Sequence, residues 1–164
     1  MSRQRFTENN LIVPATIPVA NSYNVGFTGE SIDMAKYNHV TAILMGDAAV
    51  AGAGIVHVHG AAAFAGTTAH VTFTYRYISV DTMAASADIL STPATSAALT
   101  LTEAYIKSGM YVFEWDAQDL HIAGVQYQYA TFVLDATGTA GFVSLVYILS
   151  EPRFAQAIMP TAIS

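Results

Sequence analysis

Short segments in which apolar and polar residues alternate recur along this chain, and they constrain its fold more than any other feature. Successive side chains of a β-strand point to opposite faces, so such alternation predicts strands with one buried face. In Met110–Asp116, for example, Tyr111, Phe113 and Trp115 occupy every second position. The pattern predicts a strand over this segment, with its aromatic side chains in a core.

Similar patterns predict further strands, separated by clusters of Gly, Asp, Ser and Thr. They cover residues 39–45, 55–59, 71–80, 99–102, 125–135 and 142–150. The last segment is apolar at almost every position, which indicates a central strand covered on both faces. Helix is expected only as a turn or two within residues 61–65 or 81–90. We therefore predict an all-β fold, an antiparallel β-sandwich of jelly-roll type, with extended arms at both ends.

Apolar stretches flank the predicted strands at both ends of the chain. The N-terminal stretch is interrupted by two prolines, which disfavour helix, so it is either an arm that clasps a neighbour or an edge strand of its own sheet. We divide the chain into an N-terminal arm (1–22), a β-sandwich domain (23–151) and a C-terminal tail (152–164). The residues predicted to contact partner subunits are Leu11, Ile12, Val13, Ile17, Phe154, Ile158 and Met159.

Charged residues are scarce. They make up 11% of the 164 residues, whereas 53% are hydrophobic; ordinary domains carry about 25% charged residues. So little charge covers a free monomer poorly, and we expect part of the surface to be covered by further copies or by a larger assembly. The net charge of −6 argues against nucleic acid or an anionic membrane as a partner. The absence of cysteine excludes disulfides and thiol catalysis.

Histidine provides the most serious candidate for chemistry. His57 and His59 are two residues apart on a predicted strand, so both imidazoles point to one face. Such a pair can bind a divalent metal if His70 or His121 supplies a third nitrogen. The cupin enzymes use a comparable His-x-His strand followed by Glu, but residues 62–64 hold no acid here. We therefore predict no metal site and no cofactor, and keep a cupin-like metal-dependent enzyme using His57 and His59 as an alternative.

Other catalytic patterns are weak, so we expect the protein not to be an enzyme. Glu114 and Asp116 share a strand face, as glycosidase or calcium-binding acids do, but a solvated outer face has the same pattern. No Gly-x-Ser-x-Gly elbow or phosphate-binding loop occurs. A carbohydrate-binding module is a further alternative, since β-sandwiches carry aromatic sugar platforms. Its candidate aromatic residues are Tyr75, Tyr77, Trp115, Tyr127 and Tyr129.

Three fragments carry a resemblance to a known group of proteins. Ser31–Thr41 has an acid, Met and Tyr before a hydrophobic strand, Ile43–Asp47 continues it, and Val146–Phe154 ends a strand with Pro-Arg-aromatic. This arrangement resembles small decoration, cement or head-associated proteins of tailed bacteriophages. The resemblance implies a β-rich, non-enzymatic component on the capsid exterior, often a trimer, whose partners are itself and the major capsid or other virion proteins. It concerns strands and turns, so it transfers no functional residue.

Overall fold

Two antiparallel β-sheets pack face to face in the computed structural model, which describes residues 6–16, 20–78 and 89–153. The strands are β1 (Leu11–Pro14), β2 (Phe27–Asp33), β3 (Tyr37–Gly46), β4 (Ile55–Ala61), β5 (Ala69–His70), β6 (Phe73–Ile78), β7 (Ala94–Ser96), β8 (Ala98–Thr100), β9 (Met110–Asp116), β10 (His121–Ile122), β11 (Val125–Gln126), β12 (Tyr129–Leu134) and β13 (Val143–Pro152). The predicted all-β antiparallel sandwich is confirmed.

One sheet has six strands in the order β1-β13-β3-β9-β6-β7. The opposite sheet has the order β2-β12-β4-β5, with β8 also paired to β4, and β10 and β11 form a separate hairpin. Helix is confined to single turns in the described residues: α1 (Phe6–Asn9), α2 (Ser22–Val25), α3 (Glu103–Ile106) and a 3₁₀ turn (Ala117–Leu120). None of these helices is long and apolar enough to cross a membrane.

The core between the sheets is rich in aromatic side chains. Phe113 of β9 lies at its centre, with ring centroids 5.6 Å from Phe73 and 5.1 Å from Phe132 of the opposite sheet. Tyr111 and Trp115 on the same strand are also buried. The predicted alternation of β9 is therefore confirmed, and burying each such side chain stabilises the fold by roughly 1.5–3 kcal/mol.

The N-terminal stretch forms an edge strand of its own sheet where the structure describes it. Leu11 to Pro14 pair with Leu149 to Val146 of β13. Val13 is buried, with 8% exposure, whereas Ile12 points outward and is 49% exposed. Of the two alternatives for this stretch, the structure has the edge strand, and residues 11–14 belong to the sandwich. Ile17 and the predicted contact residues Phe154, Ile158 and Met159 lie outside the described residues.

Three expectations about secondary structure are wrong. The segment 142–150 is not covered on both faces, because burial alternates along β13. The segment 125–135 is divided between β11 and β12, since residues 127–128 connect the β10–β11 hairpin to the sheet that contains β2, β12 and β4. No helix forms over 61–65, where Ala61 still pairs with Tyr129 and the following residues turn. The candidate helix 81–90 lies almost wholly outside the described residues.

Candidate functional site

The outward side of the six-stranded sheet carries an apolar surface. Antiparallel sheets with one solvated face are normally polar on that face. Here seven part-exposed apolar side chains point outward from the four strands at one end of the sheet. We call them the outer apolar face: Ile12, Ile43, Met45, Met110, Val112, Val146 and Ile148.

Strand register makes these residues a continuous patch. Val146 pairs with Ile43, and Ile43 pairs with Val112, which places the three side chains in one row across the sheet. Met45 pairs with Met110 in the adjacent row. Because paired residues share a face and adjacent strands lie about 4.8 Å apart, the side chains within each row are neighbours. The patch is therefore a candidate interaction surface, and Ile12 on β1 extends it to the sheet edge.

Three histidines meet on the outward side of the opposite sheet. His57 and His59 lie on β4, and strand pairing sets His70 of β5 directly opposite His59. The His70 ring centroid is 4.6 Å from the His57 centroid and 4.6 Å from the His59 centroid. One nitrogen from each residue lies within 4.8 Å of the other two. The predicted pair thus gains its third member from His70, whereas His121 lies apart in the β10–β11 hairpin.

The surroundings of this histidine cluster fix part of its chemistry. Asp135, just after β12, accepts a hydrogen bond from His57 Nε2 at 3.1 Å. The Nδ1 atoms of His57 and His59 are buried without a hydrogen-bond partner among the described residues. Burial lowers the pKa of His59, and the neighbouring His70 and His57 lower it further. Burial and these neighbours therefore favour the neutral form of the His59 imidazole.

The predicted acidic pair lies beside His39, on the same outward side of the six-stranded sheet as the outer apolar face. The side chains of His39 and Asp116 are joined by a 2.6 Å hydrogen bond through Nδ1 and Oδ1, and Glu114 Oε1 lies 3.8 Å from His39 Nε2. Asp119, in the 3₁₀ turn that follows β9, accepts the backbone N–H of Asp116 at 2.8 Å. Each acid therefore has a histidine or backbone partner.

A polar groove of about 950 Å³ opens next to His39 and Asp116. Asn38, Gln118 and Tyr127 are among the residues that line it. Of the five aromatic residues proposed for sugar binding, Tyr127 lines this groove. Trp115 is only 2% exposed and belongs to the core. Tyr77 is stacked on Tyr105, with centroids 3.9 Å apart. The predicted aromatic platform is therefore not assembled on one surface of the described residues.

Sequence reasoning identified part of these sites. The His-x-His spacing shows that His57 and His59 share a face, but the choice between His70 and His121 depends on which strand pairs with β4. The role of Asp135 was missed, because its approach to His57 depends on the pairing of β12 with β4. The outer apolar face could have been predicted in part from the sequence of residues 142–150. Apolar residues at successive positions in 142–150 leave one apolar set outside once the other is buried.

The fold and its surfaces define an all-β antiparallel sandwich protein. No known family matches the sequence, and no curated protein matches it. Among solved structures, the chain is similar to the SPBc2 prophage-derived protein YomS. That similarity covers 87% of this chain and 94% of YomS at 12% sequence identity, with a TM-score of 0.53.

Proposed function

We propose that this chain is a structural virion protein of a bacteriophage that self-associates, as a trimer by preference, and binds the outside of the capsid lattice to stabilise it. The outer apolar face carries the proposal, because a patch of part-exposed Ile, Val and Met is the kind of surface that subunit contacts cover. The chain's scarcity of charged residues supports the same proposal, as does its structural similarity to a prophage-derived protein.

The geometry suggests how copies would associate. The patch lies on four strands of the six-stranded sheet, β1, β13, β3 and β9. The outer edge of β1 pairs with no other strand among the described residues. Pro14 on that edge lacks an N–H, which disfavours extension of the sheet by another strand. We therefore assign self-association to contacts made by the side chains of this face, and not to strand pairing. Many copies bound across a shell would add their modest affinities through avidity.

The test adds charge to the patch. Ile43→Lys and Val112→Lys place a cation where apolar contact is proposed, and each is expected to weaken self-association at least tenfold. The same variants should lose binding to empty shells from the same source, measured by co-sedimentation. Val125→Lys is the matched control, because Val125 is 49% exposed in the β10–β11 hairpin, away from the patch. Equal association by all three variants and the unaltered chain would overturn the proposal.

Carbohydrate binding is a second candidate, favoured by the polar groove beside His39. Its lining includes amide side chains, which form hydrogen bonds with sugar hydroxyl groups, and one tyrosine, whose ring suits the apolar C–H face of a sugar. Retention on an immobilised polysaccharide, reduced at least tenfold by Tyr127→Ala and unaffected by Val125→Lys, would support this function. No retention on any of a panel of polysaccharides would exclude it.

A further inference from the structure

We infer that His57, His59 and His70 form a binding site for a divalent transition-metal ion, with zinc as the best fit, that fastens β5 to β4. The inference does not depend on self-association or on capsid binding. It assigns a metal site where the sequence led us to expect none.

The donor set suits zinc in type and number. Neutral imidazole binds Zn²⁺ well, and three protein nitrogens with a fourth position left to water make a common tetrahedral set. Zn–N distances of about 2.0–2.1 Å place tetrahedral ligands roughly 3.4 Å apart. The three nitrogens already lie within 4.8 Å of one another. Small side-chain rotations would therefore complete the site without movement of the strands.

The backbone holds the three histidines in register. His57 and His59 project from one face of β4, whose residues 56–61 are paired with β12. His70 is held opposite His59, and the adjacent Val71 N–H donates to the Val58 carbonyl at 2.8 Å. The ligands are thus placed by two paired strands, which limits the ordering that an ion would have to impose.

Two buried nitrogen atoms of the cluster have no hydrogen-bond partner among the described residues. They are Nδ1 of His57 and Nδ1 of His59. A buried polar atom left unpaired costs about 1–3 kcal/mol, so such atoms call for an explanation. His57 donates its Nε2 hydrogen to Asp135 at 3.1 Å, which leaves a lone pair on Nδ1. Metal-bound histidines commonly have such a carboxylate partner on the opposite ring nitrogen.

The ion would stabilise a weak part of the sheet. β5 contains two residues, and exposed residues 62–65 precede it. Its attachment to β4 rests on few hydrogen bonds, among them the Thr68 N–H to the Gly60 carbonyl at 3.2 Å. An ion bound to His57, His59 and His70 would join the two strands through their side chains. We assign it this structural role.

The experiment titrates the full chain, without a polyhistidine tag and freed of metal by chelation, with zinc chloride in a calorimeter. One zinc ion per chain is expected. His70→Ala should lower zinc affinity at least tenfold, and His59→Ala should do the same. His121→Ala is the matched control, since that histidine is exposed and outside the cluster, and it should bind zinc like the unaltered chain.

Hydrogen exchange gives a readout that does not depend on affinity alone. Zinc should slow amide exchange over residues 59–71 in the unaltered chain and in His121→Ala, but not in His70→Ala. Because His70 is exposed, His70→Ala should leave the free energy of unfolding without metal unchanged. That measurement distinguishes loss of zinc binding from a folding defect. Magnesium should have no effect, since it prefers oxygen ligands. Zinc binding that is absent from the unaltered chain, or equally weakened by His121→Ala, would overturn the inference.

Discussion

Gly29 and Tyr147 fit closely against each other across the two sheets. A Cβ atom added to Gly29 would lie 2.6 Å from Tyr147 Oη. The Tyr147 side chain is fully buried, so its ring has little room to move. The absence of a side chain at position 29 is therefore a packing requirement, since β2 must approach β13 closely enough to accommodate the phenol.

This close approach predicts a compensating pair of substitutions. Gly29→Ala alone should destabilise the fold by about 1–3 kcal/mol, as overpacked cores do. Tyr147→Phe removes the nearest atom, and in that background Gly29→Ala should cost less than half as much. Urea unfolding of the four proteins in the double-mutant cycle measures the coupling. Strictly additive effects would show that the two residues do not limit each other.

The Tyr23 phenol makes the free energy of unfolding depend on pH in the alkaline range. Burial raises the pKa of this phenol from 10 to about 12. Its hydroxyl donates to the Gly52 carbonyl at 3.1 Å. In the unfolded chain the phenol ionises near pH 10, while in the folded chain it stays protonated until about pH 12. Its contribution to stability is therefore complete below pH 10 and is lost progressively as the pH rises from 10 to 12.

We predict that the free energy of unfolding falls over this interval, with Tyr23 contributing at most about 1.4 kcal/mol per pH unit. Urea unfolding at a series of pH values measures the slope. Tyr23→Phe should give a shallower slope, although burial also raises the pKa values of Tyr111 and Tyr147, which remain. An unchanged slope in Tyr23→Phe would contradict the assignment to this residue.

Adjacent residues of β1 are expected to serve two different purposes, one in folding and the other in self-association. Val13 points into the core and Ile12, its neighbour, points out onto the outer apolar face. Val13→Asp should therefore destabilise the fold by several kcal/mol, because it buries a carboxylate without a charged partner. Ile12→Asp should leave stability almost unchanged and weaken self-association instead.

Thermal unfolding and sedimentation of the two variants distinguish these effects. The variants carry the same new side chain one position apart, so each is the control of the other. If Ile12→Asp unfolds the protein while Val13→Asp does not, the register of β1 against β13 is wrong. If both variants fold and associate like the unaltered chain, β1 contributes to neither property.

The elements also show how far the sequence predicts the fold. β9 was predicted with its observed bounds, because aromatic residues at every second position leave one arrangement that buries them. β2 was missed, since Phe27–Asp33 contains Gly, Glu, Ser and Asp in place of an alternating apolar set. Its strand depends on pairing with β12, including a bulge between Thr131 and Val133. Such non-local pairing cannot be read from local alternation.

The same limit applies to the candidate sites. The face shared by His57 and His59 follows from their spacing alone. The positions of His70 and Asp135 next to this pair depend on which strands lie beside β4, and local sequence does not show that. The outer apolar face likewise depends on the lateral order of β1, β13, β3 and β9. Sequence therefore predicted which residues share a strand face and missed which strands share a surface.

For the whole molecule, composition and structure lead to one expectation. The chain has 11% charged residues, and an outer apolar face lies on its larger sheet. Burial of apolar area contributes roughly 25 cal/mol per Å², so covering such a face with another subunit is favourable. We expect the isolated chain to associate in dilute buffer, and to associate more strongly in sulfate, which strengthens apolar contact.

The most direct test of the central proposal is the native mass of the unaltered chain, measured by sedimentation equilibrium at micromolar concentration. We expect a closed oligomer, with three times the chain mass of 17.4 kDa. A single species of 17.4 kDa over the whole concentration range would contradict it.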